Sequence, residues 1–201
     1  MRIAFDVNGV LRDTLGKAEQ IYQKFFIDDY VKEEGEEEFE YELNLPVTSM
    51  NLIEHFKFPK QEDLYDFFYV DFPMNIFGHA ASISANTFNQ LNEIYEDLRD
   101  ENDILIISDE IQKSKPATLF FLSKYGCLIE KIFFYSKFTI DDVLNNVDCI
   151  VTANPELLNV DNKIIVKYET DYNKDIDCKY VINSIDDFKN LYKELNLNKN
   201  D

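Results

Sequence analysis

Short apolar runs recur along the chain, and stretches with helical spacing separate most of them. The runs lie at residues 2–7, 103–108, 131–135, 148–152 and 163–168. The interior of each run is mainly apolar and does not alternate regularly with polar residues, which is typical of strands buried on both faces of a parallel sheet. Residues 84–98 and 184–195, in contrast, repeat apolar side chains at the spacing of an amphipathic helix. This alternation predicts an α/β three-layer sandwich around a parallel, Rossmann-like sheet.

A mostly helical segment separates the first predicted strand from the second. Its spacing indicates a helix over residues 17–33 and two more beginning near residues 50 and 62, with the acidic run EEGEEEFEYE as a solvated loop or helix end. We therefore predict a helical cap, residues 14–80, inserted after strand one of a core formed by residues 1–13 and 81–201. The aromatic side chains of FFYVDF are either the core of this cap or a platform for base stacking.

Composition narrows the choice of partners. The chain has 201 residues, 45% of them hydrophobic, and a formal net charge of -19. Such a surface repels nucleic-acid phosphates, so we expect no nucleic-acid partner. No apolar stretch approaches a membrane span or a signal peptide, so we expect no membrane partner. The three cysteines are well separated in the sequence, which indicates free thiols in a reducing compartment and predicts a cytoplasmic protein.

Candidate chemistry lies where the predicted strands end. Asp6, Ser108 and Thr152 each close an apolar run, and the carboxyl ends of parallel strands share one edge of a sheet, where ligands bind. Asp6 is followed by Asn8 and Gly9. Asn-Gly is also a strong hairpin signal, so the segment FDVNGVL is either a simple turn or the strand end that presents a nucleophile.

Four segments, in this order, resemble the motifs of the haloacid-dehalogenase-like superfamily. The first is Asp6-Val7-Asn8-Gly9-Val10-Leu11, which is similar to the family's Asp-x-Asp-Gly motif. The others are Ile106-Ile107-Ser108, the lone Lys137 in FYSKFT, and the strand segment DCIVTANPELL. The spacing and the cap after strand one resemble the deoxyribonucleotidase-like branch most closely.

The resemblance implies roles for these residues. Asp6 would be the nucleophile that forms an aspartyl-phosphate, and Asn8 would occupy the position of the general acid. Ser108, its neighbour Asp109, and Lys137 would form the phosphate-binding group, although Lys137 taken alone is more typical of an ordinary surface lysine. Asp6 and the backbone carbonyl of Asn8 would hold Mg²⁺.

This sequence departs from the family pattern at three places. Asn8 cannot release a proton as an acid would, a loss that typically costs ~10²–10⁴ in rate. Thr152 and Ala153 stand where carboxylates that bind the metal are expected. Asp109 and its neighbour Glu110 put negative charge beside the phosphate site, where a carboxylate repels phosphate by ~4 kcal/mol at 4 Å. These two side chains point away, bind a metal, or belong to a pocket that no longer takes phosphate.

Two functions follow from the resemblance and its departures. The first is a Mg²⁺-dependent phosphohydrolase, nucleotidase-like, that acts on a small phosphorylated molecule through Asp6. The second is a catalytically degenerate protein of the same fold that binds a ligand or a protein partner. Retention of Asp6 and Lys137 favours the enzyme, and the three departures favour the binding protein.

Overall fold

The computed structural model describes residues 1–27 and 47–197. Within them, six strands form one sheet in the order β3-β2-β1-β4-β5-β6, and every neighbouring pair is parallel. The strands are β1 (Arg2–Asp6), β2 (Asp103–Asp109), β3 (Ile132–Tyr135), β4 (Cys149–Thr152), β5 (Ile164–Tyr168) and β6 (Tyr180–Ile182). This confirms the predicted parallel, Rossmann-like sheet.

The register of the central strands brings their carboxyl ends together. Asp6 at the end of β1 pairs with Ile107 of β2. On the other side of β1, Phe5 pairs with Val151 of β4, so Thr152 lies level with Asp6. The strand order reverses between β1 and β4, and crevices at such a reversal are where ligands bind in open α/β sheets. The sheet therefore places Asp6 and Thr152 at its ligand-binding edge.

Helices flank the sheet and connect its strands. They are α1 (Thr14–Tyr22), α2 (Leu52–His55), α3 (Gln61–Asp66), α4 (Thr87–Leu98), α5 (Ser114–Lys124), α6 (Ile140–Leu144), α7 (Pro155–Leu158) and α8 (Asp187–Leu197), with π-helical turns at Gln23–Ile27, Phe67–Asp71 and Met74–Gly78. Side-chain hydrogen bonds and backbone conformation determine where several of these helices begin or end. The Asp13 carboxylate accepts a hydrogen bond from the Gly16 amide at the start of α1, and Asn154 caps α7 in the same way. Beyond α5, Gly126 adopts a positive φ of 66°, a conformation that glycine accepts at the end of a helix without steric cost.

Three hydrophobic clusters stabilise the described part of the chain. Two of them cover opposite faces of the sheet, one around Phe5 and Phe188 and the other around Leu105 and Ile150. The third joins α1, α3 and the π-helical turns through aromatic contacts centred on Phe67. The aromatic side chains of the insert therefore do form a packed core. The division into a cap over residues 14–80 and a core over the rest stays a prediction.

Some sequence predictions concern residues outside those described. The predicted helix over residues 17–33 is observed as α1 and the following π-helical turn up to residue 27, and its remainder lies outside the described residues. The acidic run at residues 33–42 lies outside them as well. Among residues 1–27 and 47–197, no helix is long and apolar enough to cross a membrane.

Candidate functional site

Asp6 lies at the end of the central strand and is only 1% exposed. Its Oδ2 accepts hydrogen bonds from the Thr152 hydroxyl at 2.8 Å and from the Tyr135 hydroxyl at 3.3 Å. Its Oδ1 is buried and has no hydrogen-bond partner. Burial raises the pKa of Asp6 from 3.8 to about 7, although the hydrogen bond from Thr152 opposes the shift. Asp6 is thus a carboxyl group poised between its neutral and charged forms near neutral pH.

A cavity of about 240 Å³ opens beside Asp6. Its wall is formed on one side by the strand ends and on the other by α1, α2, α3 and the π-helical turns. Most of the wall is apolar or aromatic, and among the described residues it includes no lysine, arginine or histidine. The aromatic residues that line it are Tyr65, Phe68, Tyr69, Phe77, Tyr135 and Tyr172. As far as the described residues form it, the cavity is therefore an apolar chamber whose charged groups are carboxyl groups.

The second of these carboxyl groups is Asp109, at the end of β2. It is partly exposed, and its pKa is raised to about 6, first by burial and then by the nearby charges of Glu156 and Glu110. The charge of Asp109 in turn helps to raise the pKa of Asp6. Asp109 is therefore a lining residue of the cavity whose charge acts on Asp6, and the three alternatives that the sequence left open for its side chain stay open.

Asn8 also lines the cavity, but neighbouring groups fix its amide. Its Oδ1 accepts hydrogen bonds from Arg12 Nη2 at 2.7 Å and from the Thr14 hydroxyl at 2.6 Å. Its Nδ2 donates to Ser108 Oγ at 3.5 Å and to the Asp109 backbone carbonyl at 3.4 Å. Both ends of the amide are thus satisfied, and an aspartate here would face the Asp109 carbonyl with a second acceptor.

Behind Asn8 lies a buried ion pair between Arg12 and Glu110, which the sequence analysis missed. Arg12 is 0% exposed, and its Nη2 donates to Glu110 Oε1. Its Nη1 donates to the Thr118 hydroxyl at 2.6 Å and to the Phe77 carbonyl at 3.0 Å. The guanidinium also lies 5.0 Å from the centre of the Phe77 ring and 5.2 Å from that of Phe121. These contacts engage the guanidinium behind the cavity wall, and Arg12 itself is not a lining residue, although its charge still acts on Asp6 and Tyr69.

Two residues of the predicted phosphate-binding group do not reach the cavity. The Ser108 side chain is 0% exposed, and its hydroxyl donates to Glu110 Oε1 at 3.2 Å. Lys137 is exposed, and its Nζ lies 5.1 Å from the centre of the Phe138 ring. Neither residue is part of the cavity wall. Their phosphate-binding roles stay predictions for which the structure shows no contact.

The turn after β1 approaches the end of β4 very closely. Gly9 has a φ of +76°, and a Cβ added to it would lie 2.1 Å from Tyr172 Oη and 2.9 Å from the Cβ of Ala153. Ala153 itself is 0% exposed. Because the space around Ala153 is filled, the position at which the family resemblance expects a carboxylate has no room for one without rearrangement.

The cavity residues Tyr135 and Tyr172 were also missed, and for Tyr172 no sequence signal would have revealed its role. Tyr135 ends β3, so the strand-end rule that selected Asp6 selects it too. For Arg12 and Glu110 the available signal was their position beside apolar runs, next to Leu11 and Ile111. Charged residues in such positions are normally exposed, so this signal is weak.

Comparison with known proteins supports the fold. No protein-family profile matches the chain, and no curated protein matches it. Among solved structures, a haloacid dehalogenase-like hydrolase from Burkholderia xenovorans LB400 is similar over 96% of this chain and 96% of its own, with a TM-score of 0.54 and 14% identity. A haloacid dehalogenase-like hydrolase from Xanthomonas campestris covers 97% of this chain and 95% of its own, with a TM-score of 0.53 and 12% identity.

A third structure, described as a dehalogenase with an intermediate complex, covers 94% of this chain and 96% of its own, with a TM-score of 0.55 and 10% identity. This chain therefore has the haloacid-dehalogenase-like fold. At such low identities the likeness establishes the fold alone, and the function has to be inferred from the site.

Proposed function

We propose that this chain uses the haloacid-dehalogenase-like fold to bind a ligand and does not transfer phosphoryl groups. The observation that carries the proposal is the charge on the cavity wall. Asp6 and Asp109 line the cavity, whereas the nearby cation, Arg12, is engaged by Glu110 and its other buried partners. A bound phosphate would meet two carboxyl groups and, among the described residues, no basic side chain on the wall. At 4 Å each charged pair repels by ~4 kcal/mol for an effective dielectric constant of 20.

The Mg²⁺ ion implied by the resemblance does not fit the residues around Asp6. Mg²⁺ requires about six oxygen ligands in nearly octahedral geometry, usually with one or two carboxylates and substrate phosphates among them. Asp6 Oδ2 is already hydrogen-bonded to Thr152 and Tyr135, so Asp6 could offer a metal only its Oδ1, and Ala153 contributes no oxygen from its side chain. Among residues 1–27 and 47–197, no group of three or more His, Cys, Asp or Glu side chains is arranged to hold a metal ion. We therefore derive no step through Mg²⁺.

A hydrolase that acts through Asp6 is the second candidate, and one observation favours it. The unpartnered Oδ1 of Asp6 lies at the end of the first strand, where the resemblance puts the nucleophile. The family resemblance implies that this hydrolase is a Mg²⁺-dependent, nucleotidase-like phosphohydrolase with Ser108, Asp109 and Lys137 around the phosphate. The positions of Ser108 and Lys137 give it no support.

A turnover assay separates the two candidates. The protein is incubated with an aryl phosphate and with acyl phosphates, in Mg²⁺ and in EDTA, beside an Asp6→Asn variant. The binding proposal predicts that the protein releases no more phosphate than the Asp6→Asn variant does in any condition, and that it does not bind beryllofluoride. Metal-dependent release that disappears in the Asp6→Asn variant would overturn it and establish the phosphohydrolase.

The remaining expectations concern partners and location. We propose that the protein acts in the cytoplasm and binds neither nucleic acid nor membrane. The net charge of -19 supports the expected absence of a nucleic-acid partner because it opposes association with phosphate backbones. Retention on DNA- or RNA-coated beads at 150 mM salt would contradict it.

A further inference from the structure

We propose that the ligand of this cavity is a small organic cation, a protonated amine joined to an apolar or aromatic body. This inference rests on the proposed function, because it assigns a chemical class to the ligand of the same cavity. Three features carry it: an unpartnered buried carboxylate oxygen, a wall without positive charge among the described residues, and an aromatic lining.

The unpartnered oxygen is the first feature. Asp6 is 1% exposed, lines the cavity, and has one oxygen, Oδ1, without a hydrogen-bond partner. A buried acceptor without a donor costs roughly 1–3 kcal/mol, so native proteins rarely leave one unmatched. An ammonium group offers up to three N–H donors and a positive charge. It satisfies this oxygen in a way that an anion cannot.

The charge of the surroundings is the second feature. Asp109 adds another carboxyl group to the wall, and Arg12 directs its Nη1 and Nη2 at Thr118, Phe77, Asn8 and Glu110. Among the described residues the wall therefore carries carboxyl groups and no basic side chain, and the net charge of -19 adds a negative field around the protein. Such a field raises the local concentration of cations and their rate of association.

The aromatic wall is the third feature. Tyr65, Phe68, Tyr69 and Phe77 line the same chamber as the two carboxyl groups. Aromatic faces attract cations by ~0.5–2 kcal/mol per contact and also bury the apolar body of a ligand. A volume of about 240 Å³ is below the ~300–1,000 Å³ typical of cavities that hold drug-sized ligands. It therefore suits a compact arylalkylamine.

Three probes with the same ring and different charges test this inference. They are phenethylamine, its neutral analogue phenethyl alcohol, and the anion phenyl phosphate, and their binding to the full chain is measured by calorimetry or ligand-detected NMR. We expect phenethylamine to bind at least ten-fold more tightly than phenethyl alcohol, and phenyl phosphate not to bind. The isosteric Asp6→Asn and Asp109→Asn variants should each reduce the preference for the amine about ten-fold, whereas Asp103→Asn, which removes a carboxylate outside the cavity, should not change it.

The outcomes distinguish failure of this inference from failure of the proposed function. Equal affinity for the amine and the alcohol, or an amine preference that survives both cavity variants, would refute the cationic ligand while leaving a ligand-binding cavity. Binding of none of the three probes would also refute the inference. Hydrolysis of phenyl phosphate that is lost in Asp6→Asn would refute the proposed function itself. Far-UV circular dichroism of each variant confirms that it is folded.

Discussion

Replacing Asp6 with asparagine should stabilise the protein, and the gain should grow with pH. Burial raises the pKa of Asp6 to about 7 in the folded chain, whereas the unfolded chain keeps a value near 3.8. Between these values the unfolded chain binds fewer protons than the folded chain, so the free energy of unfolding falls as pH rises. A difference of ~3 pKa units at 1.36 kcal/mol per unit corresponds to ~4 kcal/mol once both states are ionised.

The Asp6→Asn variant has no proton to lose at this position, so it should escape this decline. We expect its advantage over the parent protein to increase from ~2 kcal/mol at pH 5.5 to ~4 kcal/mol at pH 8. Subtracting the two curves largely cancels the titration of other carboxyl groups. The assay is urea unfolding followed by circular dichroism between pH 5.5 and 8.5, which stays above the pI of about 4.4.

A control variant should behave in the opposite way. Hydrogen bonds from Lys131 and Arg2, together with their charges, lower the pKa of Asp103, so its ionised form stabilises the folded chain above its ordinary pKa. Asp103→Asn should therefore be less stable than the parent protein throughout the range, by a small amount because the group is partly exposed. If Asp6→Asn is less stable than the parent at pH 8, or its advantage does not change with pH, Asp6 is not a desolvated carboxyl group.

Three further substitutions test the surroundings of the site, each by urea unfolding. Glu110→Gln should lower the free energy of unfolding by ~3–5 kcal/mol because it leaves the Arg12 charge buried without its partner. The control Glu93→Gln breaks an exposed ion pair and should cost less than ~1 kcal/mol. Equal costs would contradict the burial of the Arg12–Glu110 pair. Gly9→Ala should cost ~1–3 kcal/mol because φ is positive and the new Cβ has no space; an unchanged stability would refute the close approach. Ala153→Asp should cost more than ~2 kcal/mol and bring no Mg²⁺ binding by calorimetry; tight Mg²⁺ binding would show that this position still serves a metal site.

The sheet was predictable because its strands are buried on both faces and are therefore apolar without interruption. β1, β2 and β4 contain hardly any exposed side chains, so their sequences identify them without help from their neighbours. The same reasoning found Asp6, since a carboxylate directly after a buried run is unusual. It also found Asp109, although it left open where that side chain points.

The rest of the site depends on tertiary contacts that local patterns do not encode. From the sequence, a lone arginine such as Arg12 is expected to be exposed to solvent. Its burial depends on its ion pair with Glu110, nearly a hundred positions away in sequence. Lys137 illustrates a different case, in which the predicted phosphate-binding role stays a prediction. It follows β3, but β3 is the edge strand of the sheet, so a residue just past its end is free to extend into solvent instead of towards the central crevice.

The residues that depart from the family pattern contact one another in a consistent arrangement, which is not expected of a phosphatase that has merely lost catalytic residues. If Asn8 were merely a lost acid, its amide would be expected to find partners for only one of its ends. Instead Arg12 and Thr14 donate to its oxygen, and its nitrogen faces two acceptors. The same network holds the guanidinium against Glu110. An aspartate at position 8 would compete with Glu110 for that guanidinium and add a further negative charge beside Asp109. Asn8 therefore belongs to a network that engages Arg12 behind the cavity wall, and this arrangement is what the proposed ligand-binding function requires.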